Sequence, residues 1–309
     1  MPSVRIVIVD YDGADVLPAC INSLIDTIPD DVPVTILDNF SRSPSKNLIP
    51  HDHNFRIHVD RRQKNTGYAG ALHYSYENFD EDFLIFANND IEFRKGWYEN
   101  LVNMAMEKSA WAVSATISHV GDSELKKTTN ASLNPLLYLV YGVFKNRTTA
   151  VYPSGACFLL KNDKSLPSSP VDPDYFMYYE DVYIGFFLRS LNKPVMQCPD
   201  SIVGHVGSHS VKKEISGKFA FYQERNRLLT QLIFYDFPTL LAFSPYIILD
   251  SLLKIPISIQ RKKPLPDILW AHWWILFNIG WVLRKRRKLQ SIPGFKPKRI
   301  LTYLTRRLK

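Results

Sequence analysis

Five apolar residues, Phe83-Leu84-Ile85-Phe86-Ala87, run without a polar break, and the chain then turns abruptly polar at Asn88, Asn89 and Asp90 before Ile91. A short continuous apolar run predicts a strand buried on both faces. The same change from apolar run to oxygen-bearing side chains occurs twice upstream. Val4–Val9 ends in Asp10-Tyr11-Asp12, and Pro33–Leu37 ends in Asp38-Asn39. Another strand is expected at Phe55–Val59. Between these runs the spacing changes from two to about 3.6 residues: Leu17, Ile21, Leu24, Ile25 and Ile28 share one face of a predicted helix within 14–28. Further helices are predicted at Gly67–Asn78, entered through Asn65-Thr66, and at Trp97–Lys108. The order β-α-β-β-α-β-α predicts an α/β fold, a mostly parallel Rossmann-like sheet with flanking helices. The three polar strand ends then lie along one edge and face one crevice, where such sheets bind ligands.

The second half of the chain is less regular. Residues 121–153 carry no clear period, and a Ser- and Pro-rich stretch from Lys161 to Pro173 reads as a mobile surface loop. An aromatic run then leads into Glu180-Asp181, at the start of a helix predicted over Asp181–Leu191. Acids are favoured there by the helix dipole, so capping and chemistry both explain the pair. Strands are expected at Val195–Cys198 and Ile202–His205. After about residue 215 the composition shifts. Residues 228–259 are strongly apolar but interrupted by Asp236, Pro238, Pro245, Asp250, Lys254 and Pro256. Residues 268–283 form a 16-residue run carrying Trp270, Trp273, Trp274 and Trp281, and Arg284-Lys285-Arg286-Arg287-Lys288 follows directly. The run falls short of the ~20 residues that cross a bilayer. Tryptophans beside a basic cluster predict instead a helix lying at the interface of an anionic membrane.

Bulk numbers sharpen this picture at two points. The net charge of +8 is unevenly spread over the 309 residues. Residues 260–309 hold 14 Lys and Arg and one acid, Asp267, a net +13, whereas residues 1–259 hold 24 bases and 29 acids, a net −5. An acidic body with a basic tail points to an anionic surface, membrane or nucleic acid. The three cysteines, Cys20, Cys157 and Cys198, are odd in number and contain no CxxC, which argues for a reducing compartment and against a disulfide or zinc framework. Val4–Val9 is too short for a signal-peptide core, so a cytosolic catalytic part is expected, and the sequons at Asn130 and Asn146 are read as accidental. Carboxylate and amide oxygens at Asn88–Asp90 suit a hard divalent cation that also holds a phosphate; a polar turn capping a buried strand is the competing explanation.

Seven short motifs, taken in order over residues 6–210, resemble those of the family 2 glycosyltransferases of GT-A fold. They are closest to the rhamnosyltransferase- and galactofuranosyltransferase-like branch that builds surface polysaccharides and lipid-linked glycans. The motifs are Val9-Asp10-Tyr11-Asp12, Leu37-Asp38-Asn39-Phe40-Ser41, Asn65-Thr66-Gly67-Tyr68-Ala69-Gly70, Ala87-Asn88-Asn89-Asp90, Ser154-Gly155-Ala156, Tyr175 to Asp181, and Pro199 to His205. The resemblance implies that Asp38 contacts the nucleotide base, with Asp10, Tyr11 and Asp12 in the same donor pocket. It places Asn65 and Gly67 on the donor diphosphate side, Asn88 and Asn89 among the donor-binding residues, and Asp90 and His205 on a metal, Mg²⁺ or Mn²⁺. Asp181, beside Glu180, would be the catalytic base, with Ser154 and Gly155 on the acceptor side. Three departures stand out: Asp10 and Asp12 replace asparagines, Asn88 replaces the first acid of the usual D-x-D, and Tyr183 replaces a second acid.

The expected protein is an inverting, metal-dependent glycosyltransferase. It would use dTDP-rhamnose or a UDP-sugar as donor and a saccharide acceptor that is expected to be lipid-linked. It would have a nucleotide-sugar glycosyltransferase domain over 1–215 and a helical, basic, membrane-interfacial region over 216–309, peripheral on the inner, cytoplasmic face of the cell membrane. Three rivals compete. A Rossmann oxidoreductase lacks its G-x-G-x-x-G, since Asp10-Tyr11-Asp12-Gly13 stands after the first strand. A catalytically inactive nucleotide-sugar-binding scaffold sits poorly with intact Asp90, Asp181 and His205. A nucleic-acid binder would use the basic tail, but the tail's aromatic, apolar context fits a membrane better, and no nucleic-acid partner is expected.

Overall fold

The computed structural model describes residues 2–50, 57–119, 132–140, 148–206, 216–260 and 265–305. The sequons at Asn130 and Asn146 and most of 121–153 lie outside them. The first half follows the predicted alternation: β1 (Val4–Asp10), α1 (Leu17–Ile25), β2 (Val34–Asp38), β3 (Ile57–Arg61), α2 (Gly67–Asn78), β4 (Phe83–Asn88), β5 (Ile91–Phe93) and α3 (Trp97–Glu107). Next come β6 (Ala112–His119), the short pair β7 (Ser132–Leu133) and β8 (Leu139–Val140), β9 (Cys157–Lys161), α4 (Glu180–Ser190) and β10 (Val195–His205). Five helices close the chain: α5 (Ser216–Phe234), α6 (Phe237–Gln260), α7 (Leu265–Phe277), α8 (Ile279–Gln290) and α9 (Lys298–Leu301).

Eight strands form one sheet in the order β3-β2-β1-β4-β9-β6-β10-β5. Its first four strands are parallel, as expected. Beyond them β9 is antiparallel to both β4 and β6, and β5 is antiparallel to β10, so the second half is mixed. The sequence reading passed over β6 and β9. It also split β10, which is one strand whose register against β6 shifts between Gln197 and Ile202.

The continuous apolar runs are explained by cover on both faces. Along β4, Leu84 and Phe86 enter one core while Phe83, Ile85 and Ala87 enter the other; along β1, Val7 and Val9 oppose Ile6 and Ile8. One core is closed by α1 and α3. The other is closed by α2, α4 and α5, and it continues without a break into Ile275, Val282, Leu289 and Ile300 of the last helices. The loop after Lys161 is at the surface as expected, but Val171 and Asp172 within it are buried.

The tail differs from its sequence reading in two ways. The run 268–283 is two helices, interrupted at Asn278, whose side chain turns back to the carbonyl of Trp274 (2.8 Å). The basic cluster is also divided. Lys285 bonds Asp172 and Asp174, and Arg286 bonds the Leu232 carbonyl, while Arg284, Arg287 and Lys288 are exposed.

Candidate active site

The parallel register sets Asp10 beside Asp38 and Val9 beside Asn88, so the three polar strand ends do converge. They bound a cavity of about 410 Å³. Tyr11, Asn65, Gly67, Asn88, Asn89 and Asp90 line its strand-end side, and Gly155, Glu180 and His205 complete its polar wall. An aromatic wall of Tyr68, Phe176, Tyr178 and Phe219 faces the same space.

Asp10, Asp12 and Asp38 lie behind this wall. Asp10 is fully buried and accepts hydrogen bonds from Asn89 Nδ2 (2.6 Å) and Ser45 Oγ (2.6 Å). Burial pushes its carboxyl up, against the hydrogen bonds from Ser45 and Asn89. Asp12, at φ 54°, receives the Arg42 backbone N–H (2.7 Å) and Nε (2.9 Å). Asp38 is buried under bonds from Ser41 N (2.8 Å), Ser45 N (3.0 Å) and Arg61. Burial raises its carboxyl, but these donors outweigh burial and leave it below the usual range. Asn39 pins the next loop, donating to Asn65 Oδ1 (3.0 Å) and the Gly67 carbonyl (3.1 Å) while accepting from Thr66 N (3.1 Å). Gly67 is required twice over: its φ is +71°, and a Cβ there would sit 2.1 Å from the Phe176 carbonyl oxygen.

Asp90 and His205 meet because β5 pairs with β10, placing Ile91 opposite His205. His205 Nε2 lies 3.1 Å from Asp90 Oδ1, which is buried and receives no hydrogen bond. An orphaned carboxylate oxygen beside an imidazole, with two asparagines adjacent, is a donor set a divalent cation fits. The protein supplies few ligands: among the described residues no three His, Cys, Asp or Glu side chains cluster around one point. Water and phosphate oxygens would have to complete the shell.

Glu180 and Asp181 open α4, but their roles separate. Asp181 Oδ1 accepts from Val182 N (2.7 Å) and Oδ2 from Gly155 N (3.1 Å), so it bears part of the capping duty. Glu180 makes no capping bond; it is buried, lines the cavity, and its Oε2 has no partner. Burial pushes both carboxyls up, and the Asp181 charge pushes Glu180 further. Ser154 lies outside the cavity wall, whereas Gly155 is in it, its carbonyl accepting from Tyr68 Oη (2.8 Å).

The segment before this pair is strained. Phe176, Tyr178 and Tyr179 have φ of 62°, 64° and 66°, a conformation that costs bulky residues about 1–3 kcal/mol each. Asn226 of α5, fully buried, holds it by donating to the carbonyls of Tyr175 (2.9 Å), Met177 (2.8 Å) and Tyr178 (2.7 Å). Arg225 adds bonds to the carbonyls of Asp174 (2.8 Å) and Tyr175 (2.9 Å). Sequence reading missed this clasp and the aromatic wall. The signal for the clasp was the polar run Gln223 to Arg227 between Phe219–Tyr222 and Leu228-Leu229, and that for the wall was the aromatic run before Glu180.

The family model described as "Glycosyl transferase family 2" matches residues 5–165. The low-salt glycan biosynthesis hexosyltransferase Agl10 of Haloferax volcanii is 22% identical over 207 residues, 64% of this chain and 65% of that protein. The crystal structure of GalNAc-T7 with UDP, GalNAc and Mn²⁺ matches with a TM-score of 0.64 at 15% identity, over 90% of this chain and 57% of that one. The mannosyltransferase PcManGT from Pyrobaculum calidifontis, in complex with GDP-Man and Mn²⁺, matches with a TM-score of 0.51 at 12% identity, over 98% and 86%. The chain thus spans under two thirds of the length of Agl10 and of GalNAc-T7. The two structural likenesses establish a shared fold.

Proposed function

The chain belongs to glycosyl transferase family 2, and on that premise we propose that it is an inverting, metal-dependent glycosyltransferase of the rhamnosyl- and galactofuranosyltransferase-like branch. The observation that carries this reading is the grouping of orphaned polar atoms. Asp90 Oδ1, Glu180 Oε2 and Tyr178 Oη are each buried and make no hydrogen bond within the protein, and all three residues line one cavity. Buried polar groups are nearly always satisfied, so three unsatisfied ones in one wall await a ligand rich in hydroxyls, phosphates or a cation. UDP and GalNAc in the GalNAc-T7 complex and GDP-Man in the PcManGT complex, each with Mn²⁺, are of that kind.

In the proposed mechanism Asn65, Gly67 and Asn88 border the donor diphosphate. Asp38 and Asp10 hold the loops behind it, and Asp38 is the candidate contact to the base if Arg61 swings aside. Asp90 and His205 would hold Mg²⁺ or Mn²⁺, which as a Lewis acid stabilises a leaving diphosphate. Asp181 takes the acceptor hydroxyl proton. Glu180, aimed into the cavity, keeps a proton beside it and orients that hydroxyl. A raised carboxyl pKa brings a general base closer to working pH. Asp90 and Glu180 are the only acids among the described residues that line the cavity. With Asp90 assigned to the metal, Glu180 to orientation and Asp181 to the acceptor proton, no carboxylate is left to form a covalent glycosyl intermediate, and direct displacement inverts the anomeric centre. We propose dTDP-rhamnose or a UDP-sugar as donor and a lipid-linked saccharide as acceptor, at the cytoplasmic face of the membrane.

The test is thermal stability with a panel of nucleotide diphosphates and nucleotide-sugars, with and without Mn²⁺. Saturating ligand at 100 times its dissociation constant adds about 2.7 kcal/mol. A metal-dependent rise with one nucleotide is expected for wild type and Asp181→Asn but not for Asp90→Ala, with sugar transfer lost in both variants. Wild-type transfer by Asp181→Asn would remove it as the base. The sparse protein ligand set at Asp90 favours one alternative, a catalytically inactive nucleotide-sugar-binding scaffold; nucleotide binding without transfer to any acceptor would select it.

A further inference from the structure

Helix α6 is inside out. From Leu240 to Ile257 no residue is buried, yet the exposed positions carry no charge: Leu241, Ile248, Leu249, Leu252 and Leu253 are among them. The less exposed positions, 240, 243, 244, 247, 250, 251, 254 and 255, recur at helical spacing and hold Ser244, Asp250, Ser251 and Lys254. A helix on a water-facing surface has the opposite arrangement.

The inward polar stripe is engaged by the protein beneath. Asp250 accepts from Tyr138 Oη (2.8 Å) and Arg227 (3.0 Å), and Lys254 pairs with the buried Glu224. Ser251 bonds His272 of α7 (2.9 Å), which ties the two helices side by side. Helix α7 continues the apolar outer face: Trp270 and Trp273 are each 54% exposed and Phe277 75%. On the next helix, α8, Arg284, Arg287 and Lys288 stand exposed together with Ile279 and Leu283.

We infer that the outer faces of α6 and α7 form one plate that lies flat in the headgroup region of an anionic bilayer, and that α6 does not cross it. The length and hydropathy of Phe237–Ile257 (1.6 over 21 residues) would by themselves allow a span. Crossing would strip Asp250 and Lys254 from Glu224, Arg227 and Tyr138 and carry them into hydrocarbon, where nothing replaces those partners. Lying flat leaves the network intact and puts only apolar and aromatic side chains into lipid. Exposed arginines and lysine beside outward tryptophans complement an anionic headgroup layer. A second copy of the chain is a poorer occupant, because self-pairing through this face would bring two like-charged clusters together. The inference rests on the membrane placement proposed above and extends it from the tryptophan-rich run to α6.

The experiment uses the full chain in flotation with vesicles of phosphatidylcholine, alone or with one third phosphatidylglycerol. Flotation with the anionic vesicles is expected, weakened by salt. Emission of the α7 tryptophans, and of a Leu249→Trp reporter on α6, should be quenched more by lipids brominated near the ester than near the methyl end. Leu252→Glu on α6 and Trp273→Glu on α7 should each weaken partition roughly tenfold or more. Both sites are exposed, and an unchanged melting temperature verifies folding of each variant. Both should keep any nucleotide-dependent melting shift, so failure of the plate and failure of the transferase reading are told apart. Absence of flotation overturns the inference. So does deeper quenching by methyl-end bromine, which indicates a span. A lipid-free dimer made monomeric by either substitution also overturns it, giving the face to a second copy.

Discussion

At the residue scale, the site depends on groups held in states they would not choose alone. Glu180 and Asp181 are pushed up by burial, and Glu180 also by its neighbour. A carboxyl raised on folding lends its full stability below its unfolded pKa, about 4.3 for Glu, and loses it as pH rises through the raised folded value. The contribution of this pair to stability should therefore decline from about pH 4 upward through neutrality. Glu180→Gln should abolish much of that slope, melting higher than wild type near pH 8, by about 2–4 °C per kcal/mol relieved, and like it near pH 4. Melting curves across that range check this; parallel curves would contradict it. The second residue is Asn226. Replacing it by Ala leaves the half-buried carbonyls of Met177 and Tyr178 without this donor and should cost about 1–3 kcal/mol in urea unfolding. It should also lower transfer with little change in nucleotide-dependent stabilisation, since Asn226 holds the segment before Glu180 and does not line the cavity.

At the element scale, the same helix that clasps the active site also anchors the plate. One face of α5 carries Asn226 toward the strained segment, and Glu224 and Arg227 toward α6. Burial pushes the Glu224 carboxyl up, but Arg227 and Lys254 outweigh burial and bring it down to about 2. Arg227 is 1% exposed and serves Glu224, Asp250 and the Leu136 carbonyl together. Arg227→Met should destabilise the chain by about 3–5 kcal/mol, because two acids lose their shared cation in a buried setting. It should release α6 before the sheet unfolds, so protease cleavage within α6 is the readout; cleavage no faster than in wild type would disprove the coupling. Local pattern could not reveal this. The polar residues that interrupt 228–259 are what keep α6 on the protein, and they look like interruptions only when the helix is read without its partners.

For the whole molecule, the charge asymmetry acquires a geometry. The net −5 of residues 1–259 and +13 of residues 260–309 were countable from the chain. Folding then divides the Arg284–Lys288 cluster, spending Lys285 and Arg286 on internal partners and leaving the other three outside. The proposed boundary at 215 would put catalysis before it and surface contact after it, yet Phe219 lines the cavity and Asn226 holds the segment before Glu180. The core does not respect that boundary, since the cluster on one sheet face runs from β1 and β4 into α5, α7 and α8.

The sequence by itself determined the elements whose signals are local. A strand buried on both faces must be apolar at successive positions, a helix must repeat at 3.6, and a strand end that meets ligand must turn polar. So β1, β2, β4, α2 and the convergence of Asp10, Asp38 and Asn88 to Asp90 on one edge were legible, and so was the family resemblance. Tertiary structure alone decided what depends on residues far apart in the chain. It inserted β9 antiparallel into the sheet, brought His205 to Asp90 through the β5–β10 pairing, and withdrew Asp10 and Asp38 behind the cavity wall. It set Asn226 on the strained segment and turned the charged stripe of α6 inward. In each case the physical reason is the same: a polar group's role is fixed by the partner that desolvates or satisfies it, and that partner is chosen by packing across the whole fold rather than by its neighbours in sequence.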